Sequence, residues 1–389
     1  MKLIFVVQGE GRGHLTQALT LKKIVEDNGH EVVEVLVGKS PNREIPTFFK
    51  EKMGVKITSF LSPNFRPSKD NRRFNLFSSI VSNVLSVPEY VSSIVTIRRH
   101  IQESGADVVI NFYELLCGVA CGFFPLKVPE ICVAHQYMFL HSHFHMPGKQ
   151  RIPEAMLRLF TRVTSFGATA RLALSIRNYP DDRRHHIKVV PPLLRSEVRT
   201  TSVTRGDYVM GYMLNAGFYA DVISWHREHP DTPLHFFWDK KGAPEELKVD
   251  DTLTLHAIND EKFLQYMAGC QSYATTAGFE SVCEALYMGK PAMLIPAHVE
   301  QLCNAVDAEK EGVGVRSDAF DISRLQEFAR TYKEDKAFRV WENQADLRIM
   351  NAIESVVDGY SLPTIPRLVL AGYGSLTGEH SLMSWLRRW

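Results

Sequence analysis

The chain opens with an apolar run that passes directly into a glycine turn and then a helix, and the same order returns at its midpoint. Leu3–Val7 (LIFVV) is continuously apolar, as suits a strand covered on both faces. Residues 8–14 (QGEGRGH) make the turn, 15–30 carry helical periodicity, and 31–38 (EVVEVLVG) read as a second strand. Strand, crossover helix, strand implies a parallel sheet. Residues 105–112, 128–136 and 187–194 read as further buried strands, the last entering a Pro-rich linker. Residues 207–213 (DYVMGYM) then restart the pattern, with a turn at 214–217 and a helix through Trp225. Strands are expected at 234–239, 252–258 and 271–276. The expectation is α/β: two parallel-sheet domains, 1–195 and 196–360, separated by a cleft. The tail 361–389 is left unplaced.

Composition narrows the class. In 389 residues, 45% hydrophobic and 23% charged content exclude wholesale disorder. The first apolar run is too short for a secretory signal. The longest uncharged apolar stretch, Leu115 to Leu126, falls short of the ~18–20 residues a membrane span needs. Six cysteines without a CxxC pair read as reduced, buried thiols, so a cytoplasmic protein is expected. Residues 1–195 carry a net charge of +10 and 196–389 carry −9. A basic first half suits an anionic partner. Nucleic acid is not expected, because no recognition motif is present; an anionic membrane surface or a phosphorylated substrate fits the charge.

The opening turn is not a dinucleotide fingerprint. Gly9, Gly11 and Gly13 are present, but the third fingerprint position is His14, and the second strand ends in Gly38-Lys39 instead of an acidic residue. No Walker lysine occurs. Gly11 and Gly13 therefore bring backbone close to a ligand while His14 projects from the helix start, where the dipole favours a neutral ring able to take a proton. The alternative is a helix-start histidine bonded to backbone.

Residues 275–305 (TTAGFESVCEALYMGKPAMLIPAHVEQLCNA) carry the most information. Thr275 to Gly278 end a strand in small residues, and Phe279 opens a helix whose free N–H groups suit a diphosphate. Ser281 adds a hydroxyl, and Glu284 offers a carboxylate for two ribose hydroxyls. Glu300-Gln301 follow as a polar pair fit for a sugar. Together these are the parts of a nucleotide-sugar site.

On these two motifs the sequence resembles the GT-B glycosyltransferases, which are built from two Rossmann-like domains. The resemblance is to the family 28-type C-terminal domain, as in the N-acetylglucosaminyltransferase acting on the lipid-linked peptidoglycan precursor, and to uncharacterised bacterial and archaeal glycosyltransferases. Residues 107–118 and 134–136 match more weakly. The resemblance implies transfer of a hexose-type sugar from a nucleotide diphosphate donor, UDP-sugar by default, to a hydroxyl acceptor. It implies inversion and no metal or other cofactor. Gly278, Phe279 and Ser281, with Thr276, would hold the diphosphate, Glu284 the ribose, and Glu300 and Gln301 the sugar. His14 would be the general base or lie beside the reacting oxygens, with Gly11 and Gly13 beside the donor. Asn215 and Gly217 would touch phosphate at the first strand end of the second domain. Glu280 departs from the pattern, since a carboxylate there repels a diphosphate unless it is turned outward or engaged elsewhere.

Other features leave alternatives open. His135, His141, His143 and His145 place four imidazoles within eleven residues. On a strand the HxHxH of 141–145 would point three rings to one face, as a metal site needs, whereas on a loop at the cleft one or two of the rings would touch the acceptor. Glu114 follows a strand end and is either a second catalytic or acceptor-binding group, or a helix-start carboxylate. The Asp181-Asp182 and Asp250-Asp251 pairs look like solvated loops. Residues 66–99 combine basic flanks with an apolar helical face containing Phe77, Ile80, Val81 and Val84. That face suits either a core or peripheral docking on the inner face of an anionic membrane, where a lipid-linked acceptor would lie. The rival functions are a nucleotide-sugar epimerase of the same fold and a non-catalytic nucleotide-sugar-binding protein.

Overall fold

Leu3–Val7 are all fully buried, as an apolar run without polar alternation requires of a central parallel strand. The computed structural model describes residues 1–63, 87–213, 216–240 and 242–361. The 66–86 part of the stretch considered for membrane docking, Asn215 and the tail from 362 lie outside the described residues.

Two seven-stranded sheets form the frame. The first contains β1 (Lys2–Gln8), β2 (Glu31–Lys39), β3 (Ile57–Leu61), β4 (Val108–Phe112), β5 (Glu130–Ala134), β6 (Ala170–Leu174) and β7 (Ile187–Val190). Its order is β3-β2-β1-β4-β5-β6-β7, parallel throughout. The second contains β8 (Val209–Met213), β9 (Leu234–Trp238), β10 (Glu246–Lys248), β11 (Leu253–Ala257), β12 (Ser272–Thr275), β13 (Ala292–Leu294) and β14 (Gly314–Arg316). Its order is β10-β11-β9-β8-β12-β13-β14, with only β10 antiparallel to its neighbour. Strand order reverses between β1 and β4 in one sheet and between β8 and β12 in the other. Ligands of open α/β sheets bind beyond the carboxyl ends of strands at such points.

The sequence boundary at 195/196 falls between β7 and β8, but the final helix does not stay with the second sheet. Ala345, Ile349 and Ile353 of the helix Ala345–Asp358 repeat at four-residue intervals and are fully buried in one cluster with Leu3, Phe5 and Leu21. Lys188 Nζ donates to Ser355 Oγ at 2.6 Å, and the Tyr360 hydroxyl donates to the Leu126 carbonyl at 3.0 Å. By packing, this helix belongs to the first unit, whereas the sequence division assigns it to the second. A separate apolar cluster runs through both units, joining Tyr137 and Met138 of the first to Leu264 and Met267 of the second.

Among the described residues no helix is long and apolar enough to cross a membrane. All six cysteines are buried and none is paired with another.

Candidate active site

The carboxyl end of β1 delivers the glycine turn. Gly9 packs directly on β2: its N–H donates to the Gly38 carbonyl at 2.7 Å, and a Cβ there would lie 2.7 Å from Val37 Cγ1. Gly11 then caps the helix Arg12–Asp27 without a side-chain bond, leaving His14 in the first turn. The imidazole is 9% exposed and stacks on Tyr113 beyond β4, ring centroids 5.5 Å apart. Its Nδ1 lies 3.2 Å from Gln17 Oε1, one helical turn along, and its Nε2 lies 3.4 Å from Gln136 Nε2. A carbonyl oxygen only accepts, so Nδ1 carries the proton and Nε2 keeps the lone pair. Burial, the largest influence, holds the ring below its ordinary 6.5, and His135 lowers it further against the upward pull of Glu280, Glu300 and the Gln17 hydrogen bond. The ring is thus neutral near pH 7.

The second unit meets this group with a helix start. The helix Phe279–Tyr287 is capped by Gly278 and preceded by Ala277, whose φ of 56° is left-handed and unusual for a residue with a Cβ. Tyr113 shares that conformation at 57°, so the backbone is strained on both sides of the cleft. The first intrahelical bond runs from Val282 N–H to the Gly278 carbonyl, so the N–H groups of residues 279–281 have no acceptor within the helix. Ser281 Oγ lies in the same turn, 3.3 Å from the Gly278 carbonyl, and Thr276 is buried just before it. Phe279 stacks flat on His135 at 4.5 Å and 5°.

Glu300, at the start of the helix Val299–Lys310, bridges the units. Its Oε1 lies 3.2 Å from His135 Nε2 and accepts from Gln136 Nε2 at 3.0 Å. Burial alone would raise its pKa; the hydrogen bond and charge of His135, with His298 and His14, bring it down to about 2. Gln301 Oε1 accepts the Ala297 N–H at 2.8 Å and so closes its own loop. Glu284 is buried and tied to Arg195, whose Nε and Nη2 both meet Oε1, at 2.8 and 2.7 Å.

Several expected site residues stand elsewhere. Glu114 is fully buried and caps the helix Leu115–Phe123, accepting from Cys117 N–H at 2.7 Å and from the Ser62 hydroxyl. Burial pushes its carboxyl up to about 7. With both oxygens engaged in the core, it is a helix-start carboxylate and leaves the catalytic set. His141 and His143 do not lie on a strand. The buried His141 donates from Nε2 to the Pro180 carbonyl at 2.9 Å and accepts the His143 N–H at 3.1 Å. His143 is exposed and pairs with His141 and Tyr179. Asp182 is buried, not solvated, and anchors this loop by accepting the Ser142 N–H at 2.9 Å. Among the described residues, the one cluster with metal-ligand proximity is Cys117, Cys121 and Glu130 in the core, not the histidines. Gly13 does not open onto a ligand, since a Cβ there would lie 2.7 Å from Glu280 Oε2. Gly217 falls in the short turn Ala216–Phe218.

The structure adds Gln17, Gln136, Tyr113, Glu280 and Arg195 to the site. Gln17 was accessible to pattern reasoning, because it shares a helix face with His14. The others depend on contacts between distant segments.

The model of "Glycosyl transferase family 1" matches residues 1–332. An uncharacterised glycosyltransferase of Methanosarcina acetivorans is 22% identical over 340 residues, covering 81% of this chain and 83% of that protein. The glycotransferase of kitacinnamycin superimposes with a TM-score of 0.62 at 16% identity, over 93% of this chain and 99% of that one. Arabidopsis thaliana UGT89C1 complexed with UDP gives 0.57 at 14% identity, over 92% and 98%. The spinosyn rhamnosyltransferase SpnG complexed with thymidine diphosphate gives 0.56 at 14%, over 92% and 100%. The two facing sheets are the GT-B architecture, and the chain belongs to glycosyl transferase family 1.

Proposed function

We propose that the protein transfers a sugar, of hexose type by resemblance, from a nucleotide diphosphate donor to an acceptor hydroxyl, with inversion and without a metal. The observation that carries this reading is the His14 Nε2 lone pair, held at the boundary between the units and opposite a helix start. His14 takes the acceptor proton. The donor diphosphate lies on the N–H groups of residues 279–281 and the Ser281 hydroxyl, which stabilise the charge that develops as it leaves. Glu284 takes the ribose through the oxygen that Arg195 does not engage. Glu300 faces the sugar. Attack by the deprotonated acceptor oxygen on the face opposite the departing diphosphate inverts the anomeric centre.

Two further features support a ligand here. His135 Nδ1 and Gln136 Oε1 are buried without a protein partner, and buried polar atoms of that kind are rare unless a ligand or water completes them. The 3.4 Å contact of Gln136 with His14 is also long for a hydrogen bond, so an acceptor hydroxyl displaces it at little cost. On the acceptor side, a pocket of about 810 Å³ lined by Lys39, Arg43, Glu44 and Lys50 opens beyond β2. Its positive balance suits an acceptor bearing phosphate or carboxylate, lipid-linked acceptors included.

The test is a thermal-shift panel of nucleoside diphosphates and their sugars. A ligand at about 100 times its Kd adds about 2.7 kcal/mol. UDP or TDP compounds are expected to raise Tm by several degrees, with the nucleoside monophosphates giving less. A panel in which no nucleoside diphosphate moves Tm at millimolar concentration contradicts the reading.

A further inference from the structure

Gln17 is fully buried, and its two amide ends point at different units. Oε1 faces His14 Nδ1 at 3.2 Å within the first helix, while Nε2 donates across the boundary to Glu280 Oε1. A carboxylate has no hydrogen to give, so Glu280 fixes which way the amide lies. With NH₂ turned to Glu280, the carbonyl must face His14, and a carbonyl can only accept. Nδ1 is then the protonated nitrogen, and Nε2 is left as the base. Without Glu280 the amide is free to reverse, offering NH₂ to Nδ1 and favouring the tautomer whose Nε2 already carries a hydrogen. That tautomer cannot take a proton from an acceptor. The approach is close: a Cβ at Gly13 would lie 2.7 Å from Glu280 Oε2, so a side chain there would push the carboxylate aside.

We propose that Glu280 is a positioning residue that sets the His14 tautomer through Gln17, so that the base in one unit is readied by a carboxylate of the other. This rests on the reading of His14 as the base for its catalytic consequence, but not for the tautomer itself. It also gives the unexpected carboxylate at 280 its use, because the group is turned to Gln17 instead of toward a diphosphate. The charged or titratable groups facing His14 are Glu280 on the helix 279–287, Glu300 on 299–310, His135 beyond β5 and Tyr113 beyond β4. Of these only Glu280 is linked to Nδ1, through Gln17; Glu300 reaches the opposite nitrogen through Gln136, whose contact with Nε2 is longer at 3.4 Å.

The experiment uses the full chain labelled with ¹⁵N in the histidine rings, with the His14 signals assigned by their loss in His14→Gln. Long-range ¹H–¹⁵N spectra read the tautomer directly. The wild type is expected to show Nδ1–H. Glu280→Ala and Gln17→Leu are expected to lose that preference, and Glu280→Gln, whose own amide can donate as well as accept and so no longer fixes the Gln17 amide, to weaken it. Gln17→Leu tests the relay from within the first unit should Glu280→Ala fail to fold. In turnover, Glu280→Ala is expected to lower kcat by about 10–100-fold with donor KM little changed, and Glu280→Gln to fall between Glu280→Ala and the wild type. Both Glu280 variants remove a charge that raises the ring's pKa, so both move the acid limb of the kcat/KM profile to lower pH. That shift follows from the charge alone, whereas a purely structural role would leave the His14 tautomer in place, so the spectrum separates the two. An unchanged His14 spectrum in Glu280→Ala overturns the relay even if sugar transfer is demonstrated. A tautomer change in a protein that transfers no sugar supports the relay and removes the transferase reading instead.

Discussion

Replacing His14 with alanine is expected to lower kcat for sugar transfer by about 10²–10⁴-fold, the usual contribution of a positioned general base. Donor binding should survive, because the groups assigned to the diphosphate and ribose are carried by the other unit. The separation is therefore a kcat effect with donor KM within about threefold of wild type, as expected for a contact made only in the transition state. The pH profile carries a second signature. The ring's pKa is lowered, chiefly by burial, so the acid limb of wild-type kcat/KM should fall below 6.5 and vanish in the alanine variant. Steady-state kinetics with the donor found by thermal shift checks both. Near-wild-type kcat in a folded His14→Ala protein would remove the base assignment.

The second large effect falls on Arg195. This residue follows the Pro-rich segment after β7 and reaches Glu284 in the second unit, with side-chain exposures of 17% and 5%. Arg195→Met leaves a buried carboxylate without its counter-ion, which typically costs about 3–5 kcal/mol. The loss should depend on pH. Burial already raises the Glu284 carboxyl above its ordinary 4.5 despite Arg195, and removing Arg195 raises it further. A carboxyl raised in the folded state binds its proton more tightly folded than unfolded. Its destabilising effect is absent below about pH 4.5 and grows as pH climbs through the folded value. Denaturant unfolding of Arg195→Met should show a larger deficit at pH 8 than at pH 5. Replacing both partners, Arg195→Met with Glu284→Leu, should restore much of the stability, since a buried pair exchanged for apolar groups is often neutral. It should not restore nucleotide binding. Recovery of binding in the double variant would show that Glu284 does not hold the ribose.

Local chemistry made much of this legible in the sequence. Leu3–Val7 had to be a central strand because nothing along it faces water, and the glycines that follow had to make a tight turn because the helix begins at once. Thr275 to Ser281 announced a helix start suited to anions through small residues and a hydroxyl. These inferences use residues within a few positions of each other. What stayed hidden depends on which distant segments meet. Glu280 conflicts with a diphosphate when read along the chain; its partner, Gln17, is 263 positions away. Glu114 occupies a strand end that often faces a cleft, but helix capping and the Ser62 hydroxyl draw it inward. The alternation in 141–145 resembles a strand face, yet Asp182 and the Pro180 carbonyl fold those residues into a loop. The return of residues 345–358 to the first unit follows from their buried face, whose destination no local pattern encodes.

The central claim is that the helix start at residues 279–281 holds the diphosphate of a donor whose sugar lies between Glu300 and His14. A crystal structure of the protein soaked with the nucleoside diphosphate that most raises Tm tests it most directly. The account predicts phosphate oxygens about 2.7–3.2 Å from the N–H groups of Phe279, Glu280 or Ser281, with the ribose at Glu284. Density for the nucleotide elsewhere on the protein, with that helix start still covered by its own side chains, would contradict it.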